Sequence, residues 1–428
     1  MNPERRILSN GMVVVAVANP VSPAVHLRCL LAAGAAFDGE RPGLACLAAR
    51  LLDGGTEHRS RPEIYEELDS IGATLEIGTT RETVSLDLHC LTEDFSRVAD
   101  VLRDILESPT FPGEELERQR AALVTSNLAE AQDTEAVCEN RLQAEIFPPG
   151  HPYHYPLKGS VSSVGAITRD EVVTFHRRFH TPEGAILACS GDLEAGDALA
   201  LLEKTMTFPG GESRPATTFS LPEPLGAPVR VELTLADKTQ TDIGFGHRGL
   251  KRNDPDYYAF LIVNHALGGT GMGGRLGMEI REKRGLAYYA YSSFSAGVGA
   301  GAFMVRAGVS PAGVDAAVEC IFEELNRAVA QGITEREIEE AKRYLIGSLP
   351  RELETHAGVA RHLGEVERFR LGADYLDRFA ELVGQVSASD CRRVAGTRLE
   401  PDRGVLVIVG PPSVAPGSAL PEHLARSV

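Results

Sequence analysis

The chain has no tryptophan, only 6% aromatic residues and no long apolar run among its 428 residues. A helix that crosses a membrane needs about 20 consecutive apolar residues, so no membrane-spanning segment and no membrane partner are expected. The N-terminus leads through the polar turn Ser9-Asn10-Gly11 into a short strand-like run, a pattern unlike a signal peptide. We therefore expect a cytoplasmic protein.

Basic residues are outnumbered, since 43 Lys and Arg against 60 Asp and Glu give a net charge of −17. Binding to nucleic acid needs a basic face that neutralises phosphate charge, so no nucleic-acid partner is expected. The acidic charge suits either a basic substrate or simply a solvated surface.

Cysteine is also sparse. The seven cysteines lie far apart, are odd in number and include no C-x-x-C pair. This spacing indicates neither a disulfide framework nor a zinc site built from paired thiolates.

The length is enough for two domains of about 200 residues each. Residues 208–228 are rich in proline and glycine and show no hydrophobic periodicity, which is typical of a linker. We predict an N-terminal domain at 1–207, a linker at 208–228 and a C-terminal domain at 229–428.

The two predicted domains repeat each other in order and pattern. The helix containing Glu115-Leu116-Glu117-Arg118 has a counterpart at Glu337-Ile338-Glu339-Glu340, at an offset of 222 residues. The strands that end at Gly191 and Gly410 correspond at an offset of 219 residues. An internal repeat of this kind predicts two similar halves.

Helical and strand patterns alternate irregularly within each half. Ser60-x-x-Glu63 and Thr334-x-x-Glu337 are capping boxes that predict helix starts. Residues 84–90 alternate apolar and polar, the period of a half-buried strand. Because strict βαβ alternation is missing, we predict an α+β fold with a mostly antiparallel sheet and packed helices in each half.

Several local motifs are more specific. They are the segments Leu8–Val14, Pro42–Arg50, His151–Tyr153, Lys238–Thr241 and Leu267–Tyr288. Together they resemble the pitrilysin/insulinase family of zinc peptidases, in its short form like the mitochondrial processing peptidase subunits, from about residue 8 to residue 410. The resemblance implies a LuxS/metallopeptidase-like fold whose two halves enclose a chamber.

The family carries the zinc motif H-x-x-E-H on its first long helix, where two histidines one turn apart hold the metal and the glutamate activates water. In this chain the same window is Cys46-Leu47-Ala48-Ala49-Arg50. The third ligand position, a glutamate in the family, falls on Ser126. The resemblance therefore implies that this chain binds no metal or other cofactor, and that zinc belongs to a partner subunit.

Two other features could suggest a metal site. Cys46 alone, with Arg50 one turn away, offers no second ligand, so a small buried residue is the favoured interpretation. His176 and His180 are also one turn apart, but two arginines and no glutamate lie between them, which favours a solvated helix end.

A glycine-rich segment lies in the second half and comprises Gly268, Gly269, Gly271, Gly273 and Gly274. Arg275-Leu276 follows it in place of Lys-Ser/Thr, so a phosphate-binding P-loop is not indicated. We expect a loop that contacts substrate, with a plain structural turn as the alternative.

Arg281 and Tyr288 match the arginine–tyrosine pair of the family, which is thought to hold the scissile carbonyl and stabilise its oxyanion. Both side chains are hydrogen-bond donors suited to that role. Aligning Gly72 with Gly285 places Leu68 and Leu75 at the equivalent positions of the first half. The scaffold therefore does not require Arg and Tyr at these positions, which favours a function for them.

These features together predict the non-zinc subunit of a heterodimeric metalloendopeptidase. It would supply substrate-binding and oxyanion-stabilising residues to a homologous zinc-bearing partner, be inactive alone, and act on a peptide or unfolded protein. The alternatives are an inert structural subunit, like degenerate family members in respiratory complexes, and a stand-alone peptide-binding or cysteine-dependent protein that uses Cys46.

Overall fold

The computed structural model describes residues 2–209, 219–269 and 273–412. Two compact units form. The first contains residues 1–127, 156–217 and 348–377, and the second contains residues 128–155, 218–347 and 378–428. Each unit is built around one β-sheet with helices packed against it, so the predicted α+β fold with two similar halves is confirmed.

The first sheet has the strand order β1-β2-β6-β3-β5-β4. Only the β2–β6 pair is parallel, and every other neighbouring pair is antiparallel. The strands are β1 Glu4–Ile7, β2 Val13–Ala18, β3 Ala24–Leu31, β4 Thr74–Thr79, β5 Val84–Leu91 and β6 Ile186–Gly191.

The second sheet has the order β7-β11-β8-β10-β9, again with one parallel pair, β7–β11, at one end. Its strands are β7 Val229–Thr234, β8 Thr241–Arg248, β9 Ala287–Ala296, β10 Ala300–Val309 and β11 Val405–Gly410. The order and direction repeat those of β2, β6, β3, β5 and β4, so strand β1 is the addition in the first sheet.

The helices follow the same repeat. In the first half of the chain they are α1 Leu44–Arg50, α2 Arg61–Ser70, α3 Phe95–Glu107, α4 Gly113–Glu130, α5 Thr134–Ile146, α6 Val161–Ala166, α7 Arg169–Phe179 and α8 Ala195–Thr205. In the second half they are α9 Tyr257–Asn264, α10 Val314–Gln331, α11 Glu335–Glu352, α12 His356–Phe369, α13 Tyr375–Gly384 and α14 Ala388–Arg398.

Capping boxes begin several of these helices, because a side-chain oxygen accepts from an otherwise unpaired amide of the first turn. The predicted boxes at Ser60–Glu63 and Thr334–Glu337 are present. Equivalent boxes begin α7 at Thr168–Glu171 and α14 at Ser387–Asp390. These local signals fix the helix starts in both halves.

One helix of each sheet comes from the other half of the sequence. Helix α12 packs on β6 and β3, where Val359, Ala360 and Leu363 contact Val15 and Val17 of β2. Helix α5 packs on β11 and β8, and the Cys138 thiol donates to the Val407 carbonyl at 3.7 Å. In chain order, α4 and α5 of the first half correspond to α11 and α12 of the second half.

The compact units therefore divide the chain differently from the predicted domains 1–207 and 229–428. The sequence boundary separates the two copies of the repeat, whereas the units also reflect where α5 and α12 pack. Part of the predicted linker 208–228 lies outside the described residues. Within the described ranges, no helix is both long enough and apolar enough to cross a membrane.

We expect Leu363→Ala to destabilise the first unit, although Leu363 belongs to the second half of the sequence. Its side chain is 2% exposed in the cluster under α12, so truncation should lower the free energy of unfolding by about 2–5 kcal/mol. Urea unfolding followed by circular dichroism measures this. The control is Leu128→Ala, at a site that is 55% exposed, where a change within about 0.5 kcal/mol is expected. A Leu363 variant as stable as that control would contradict the packing.

Candidate functional site

Helix α1 carries the window in which the family has its zinc motif, and buried side chains and a side-chain cap fix its position. Its residues from Leu44 to Ala49 are all buried. The Asp38 carboxylate accepts from the backbone amides of Gly43 and Ala45, both at 2.7 Å, and so caps the helix. Burial raises the pKa of Asp38 to about 7, against the opposing effect of these two donors.

Cations surround the predicted zinc-site positions. The Lys158 ammonium donates to the Ser126 hydroxyl at 3.0 Å. Both Arg50 and Lys158 lie close enough to the Cys46 thiol to act on it electrostatically. Burial nevertheless raises the pKa of Cys46, so the thiol stays protonated near neutral pH. The structure thus groups Cys46, Arg50, Ser126 and Lys158.

This set does not fit zinc. Ala49 has no ligand atom, a guanidinium has no lone pair to donate, and the Ser126 hydroxyl already accepts from a cation. Structural and catalytic zinc sites need at least three N, S or O ligands from the protein. Throughout the described part of the chain, no group of three or more His, Cys, Asp or Glu residues is arranged to hold a metal ion.

The expectation that His176 and His180 form a solvated helix end is wrong. Both residues are buried, at 9% and 3% exposure. His176 lies in α7 and its Nε2 is 3.0 Å from the Leu106 carbonyl. Burial lowers the pKa of His176 to about 4, so the ring is neutral at pH 7. The pair belongs to the core, where the His176 and His180 rings make T-shaped contacts with Phe111 and Phe175, respectively.

Arg281 and Tyr288 lie on either side of a tight turn. Arg281 is in the last turn of a π-helix, Gly277–Lys283, and Gly285 then takes a left-handed φ of 62°. Tyr288 is the second residue of β9 and is 80% exposed. The Arg281 side chain is one-third exposed, with its Nε 3.8 Å from a Glu282 carboxylate oxygen.

The corresponding turn of the first half is closed by a hydrogen bond that spans fewer residues. Gly72 has a φ of 64°, and the Ala73 amide donates to the Leu68 carbonyl at 2.9 Å. In the second half the Leu286 amide donates to the Ile280 carbonyl, also at 2.9 Å, so this turn encloses one more residue. Leu68 is buried at 1% exposure in a regular α-helix. The turn of the second half therefore differs from that of the first half both in its hydrogen-bonding pattern and in its side chains.

The two ends of the glycine-rich segment, Gly268 and Gly274, pack closely against each other. The described part of it includes Gly268, Gly269, Gly273 and Gly274, whereas Gly271 lies outside the described residues. A Cβ at Gly274 would lie 2.6 Å from the Gly268 Cα, and one at Gly268 would lie 2.6 Å from the Ser292 amide. Packing thus requires glycine at these two buried positions, while Gly269 and Gly273 are exposed.

Two residues of the first-half site were not predicted from the sequence, Asp38 and Lys158. Lys158 reaches α1 because Gly159 packs against Pro42, where an added Cβ would lie 2.2 Å from the Pro42 carbonyl. No spacing rule connects Lys158 with Ser126, which is 32 residues earlier. Asp38 could have been found as a capping residue, although it lies five residues before the Gly43 amide that it binds.

Comparison with known proteins places these features in a family. Residues 13–154 match the model for insulinase (peptidase family M16), and residues 166–345 match the model for the peptidase M16 inactive domain. An uncharacterized zinc protease from Streptomyces coelicolor is 29% identical over 365 residues, covering 84% of this chain and 79% of that protein. The non-peptidase homolog YmxG from Helicobacter pylori is 26% identical, covering 75% of this chain and 74% of that protein.

Solved structures show the same architecture. The peptidase M16 inactive domain from Pseudomonas fluorescens superposes with a TM-score of 0.89 at 26% identity, covering 96% of this chain and 98% of that one. A protease from Helicobacter pylori superposes with a TM-score of 0.89 at 18% identity, covering 96% of this chain and all of that one, and indicates the fold alone.

We expect the purified chain to hold no stoichiometric zinc, because Cys46, Ala49, Arg50 and Ser126 occupy the motif positions and the Lys158 ammonium donates to Ser126. Restoring the family residues by Cys46→His, Ala49→Glu, Arg50→His and Ser126→Glu, together with Lys158→Ala, should create a site that binds about one zinc per chain. Metal analysis after dialysis measures the zinc content of the unaltered chain and of the restored variant. Tightly held zinc in the unaltered chain would contradict the conclusion that the motif positions do not fit the metal. The control is the same set of substitutions with Lys158 retained, which should bind zinc more weakly because the ammonium repels the dication.

Proposed function

This chain belongs to the insulinase, or M16, peptidase family, and we propose that it is the non-zinc subunit of a heterodimeric metalloendopeptidase. The observation that carries the proposal is a difference between the two halves of the chain. The zinc-motif positions hold Cys46, Ala49, Arg50 and Ser126, which do not fit the metal, whereas Arg281 and Tyr288 are present and partly or largely exposed.

The local geometry supports a role for this pair. Side chains that only maintain a fold are usually buried, as Leu68 is at the equivalent turn. A π-helical turn is rare and is found frequently at functional sites. The π-helix Gly277–Lys283 contains Arg281 and ends shortly before Gly285. Its unusual winding therefore supports a functional role for the position of the Arg281 side chain.

The chemistry assigned to the pair is electrostatic. Zinc held by the partner subunit would supply an activated water, and the residues of this chain would act at the peptide carbonyl oxygen, where negative charge would develop. A guanidinium and a phenol aimed at that oxygen stabilise the charge, and their contribution is largest in the transition state. No residue of this chain is assigned to hold the metal or to activate the water.

Substrate contact is assigned to the same region. Tyr288 lies in β9, one of the two edge strands of the second sheet, and an edge strand can pair with an extended peptide through its backbone. The exposed Gly269 and Gly273 have no side chain to block an approaching chain. We assign a peptide or unfolded protein as substrate, a homologous zinc-bearing chain as partner, and the cytoplasm as location.

A second candidate is an inert scaffold subunit. The relative from Helicobacter pylori is described as a non-peptidase homolog, and the first-half site of this chain carries no group suited to hydrolysis. In that case Arg281 and Tyr288 would be surface residues without a role in turnover.

We expect Arg281→Ala and Tyr288→Phe each to lower the turnover of the chain reconstituted with its zinc-bearing partner by ~100-fold or more, because each removes a transition-state donor. Steady-state peptide hydrolysis measures this, and size-exclusion chromatography checks assembly. The matched control is Arg284→Ala, whose guanidinium instead pairs with Glu323 at 2.8 Å. Unchanged turnover in both site variants, with assembly intact, would favour the scaffold.

A further inference from the structure

A cavity of about 510 Å³ lies in the first unit, where the first sheet meets the start of α12. Strands β3, β4 and β5, the turn before β3 and the start of α12 supply its lining. Val21 and Ala357 contribute apolar surface, and the carboxylates that line it belong to Glu76, Asp87 and Glu354. Because no lysine or arginine is among the lining residues, the cavity is locally acidic.

One of the three carboxylates already has a cationic partner. Asp87 accepts from Arg28 Nη1 at 2.7 and 2.9 Å, and its Oδ1 is 3.1 Å from His26 Nε2. Burial acts to raise the pKa of Asp87, but the hydrogen bond from His26 and the charge of Arg28 outweigh it and lower the pKa. Glu76 and Glu354 are exposed and form no ion pair within the described ranges. Two negative charges of the lining are therefore left without a cation.

The ring of His26 places a further acceptor in the cavity. It is buried, at 8% exposure, and because the Asp87 carboxylate can only accept, Nε2 carries the proton between them. In the neutral ring this leaves Nδ1 as an acceptor. Nδ1 has no hydrogen-bond partner among the described residues and, in contrast to Nδ1 of His356, is not fully buried. Since His26 lines the cavity, a ligand in the cavity can reach this nitrogen.

The start of α12 adds partial positive charge, which is smaller than the charge of the two glutamates. A helix N-terminus corresponds to about half an elementary charge. The Thr355 hydroxyl accepts from the Gly358 amide at 3.0 Å and so satisfies part of the first turn. The two unpaired carboxylates therefore set the sign of the cavity, which favours a cation with several N–H donors.

We propose that this cavity binds a small organic dication, an alkyl diamine such as putrescine. Its two ammonium groups match the two glutamates, which lie on different elements, Glu76 in β4 and Glu354 directly before the cap of α12. An ammonium has three donors, so one group can serve both a carboxylate and the Nδ1 of His26. The methylene chain between the ammonium groups suits the apolar surface of Val21 and Ala357.

The size and place of the cavity fit this assignment. Its volume falls within the range of small-molecule sites. In the described part of the chain, no group of three or more His, Cys, Asp or Glu residues is arranged to hold a metal ion, so an organic cation is favoured over a metal. The lining includes no residue of α1 and none of the Arg281–Tyr288 turn. The inference is therefore independent of the proposed peptidase role.

Isothermal titration calorimetry of the full chain with putrescine tests the proposal, at constant ionic strength and at pH 8, above the ordinary pKa of imidazole. We expect one saturable site per chain. Butylamine, with the same carbon chain but one ammonium, should bind about tenfold or more weakly, because one charge-assisted contact is missing. Glu76→Gln and Glu354→Gln should each weaken putrescine binding to a similar extent. Both side chains are exposed, so folding should be retained, which a thermal melt verifies.

His26→Phe tests the buried acceptor. This change keeps an aromatic ring, removes Nδ1 and leaves Asp87 paired with Arg28, and it should weaken putrescine binding by about tenfold. The matched control is Glu365→Gln, an exposed glutamate of α12 that does not line the cavity, and it should leave the Kd unchanged.

Equal weakening by the Glu365 change would overturn the proposal, since it would reveal diffuse attraction to the acidic surface. Absence of saturable binding, or equal affinity for butylamine and putrescine, would overturn it as well. A parallel titration with a Lys-Gly-Lys peptide blocked at both ends identifies the source of the ammonium groups. Weaker binding than putrescine supports a free diamine, whereas tighter binding that depends on Glu76 and Glu354 would replace the diamine with a basic peptide.

Discussion

The central strands β6 and β11 are buried at every residue, and the rest of the fold depends on that constraint. A strand buried on both faces needs a cover on each side of its sheet. Helices from the same half of the sequence cover one face, and α12 or α5 from the other half covers the second. Because Val359, Ala360 and Leu363 lie against β2 and β6, neither half of the sequence contains all the apolar surface that its own sheet requires.

This dependence on apolar packing explains how the zinc motif could be lost without loss of the fold. Helix α1 is fixed by its buried residues 44–49 and by the Asp38 cap, and none of these contacts involves a metal. Arg50, at a motif position, and the neighbouring Lys158 place positive charge at the site, which opposes the binding of a dication.

In the second half, one carboxylate connects several features. Glu337 caps α11 through Thr334 and binds Arg275 through both of its oxygens. Burial acts to raise the pKa of Glu337, but the hydrogen bonds from Arg275 and Thr334 outweigh it and lower the pKa to about 2. Arg275 directly follows Gly274, whose backbone packs on Gly268. The Arg275–Glu337 ion pair therefore links the base of the glycine-rich segment to the start of α11.

The sequence by itself determined what depends on near neighbours or on a shared motif. Capping boxes at Ser60 and Thr334, the alternating strand at 84–90, the order of the repeat and the family all followed from such patterns. The tertiary structure alone decided which helix covers which sheet, the burial of His176 and His180, the approach of Lys158 to Ser126, and the pairing of Arg275 with Glu337. These contacts join residues that are distant in sequence, so their energies depend on packing in three dimensions, which no local spacing encodes.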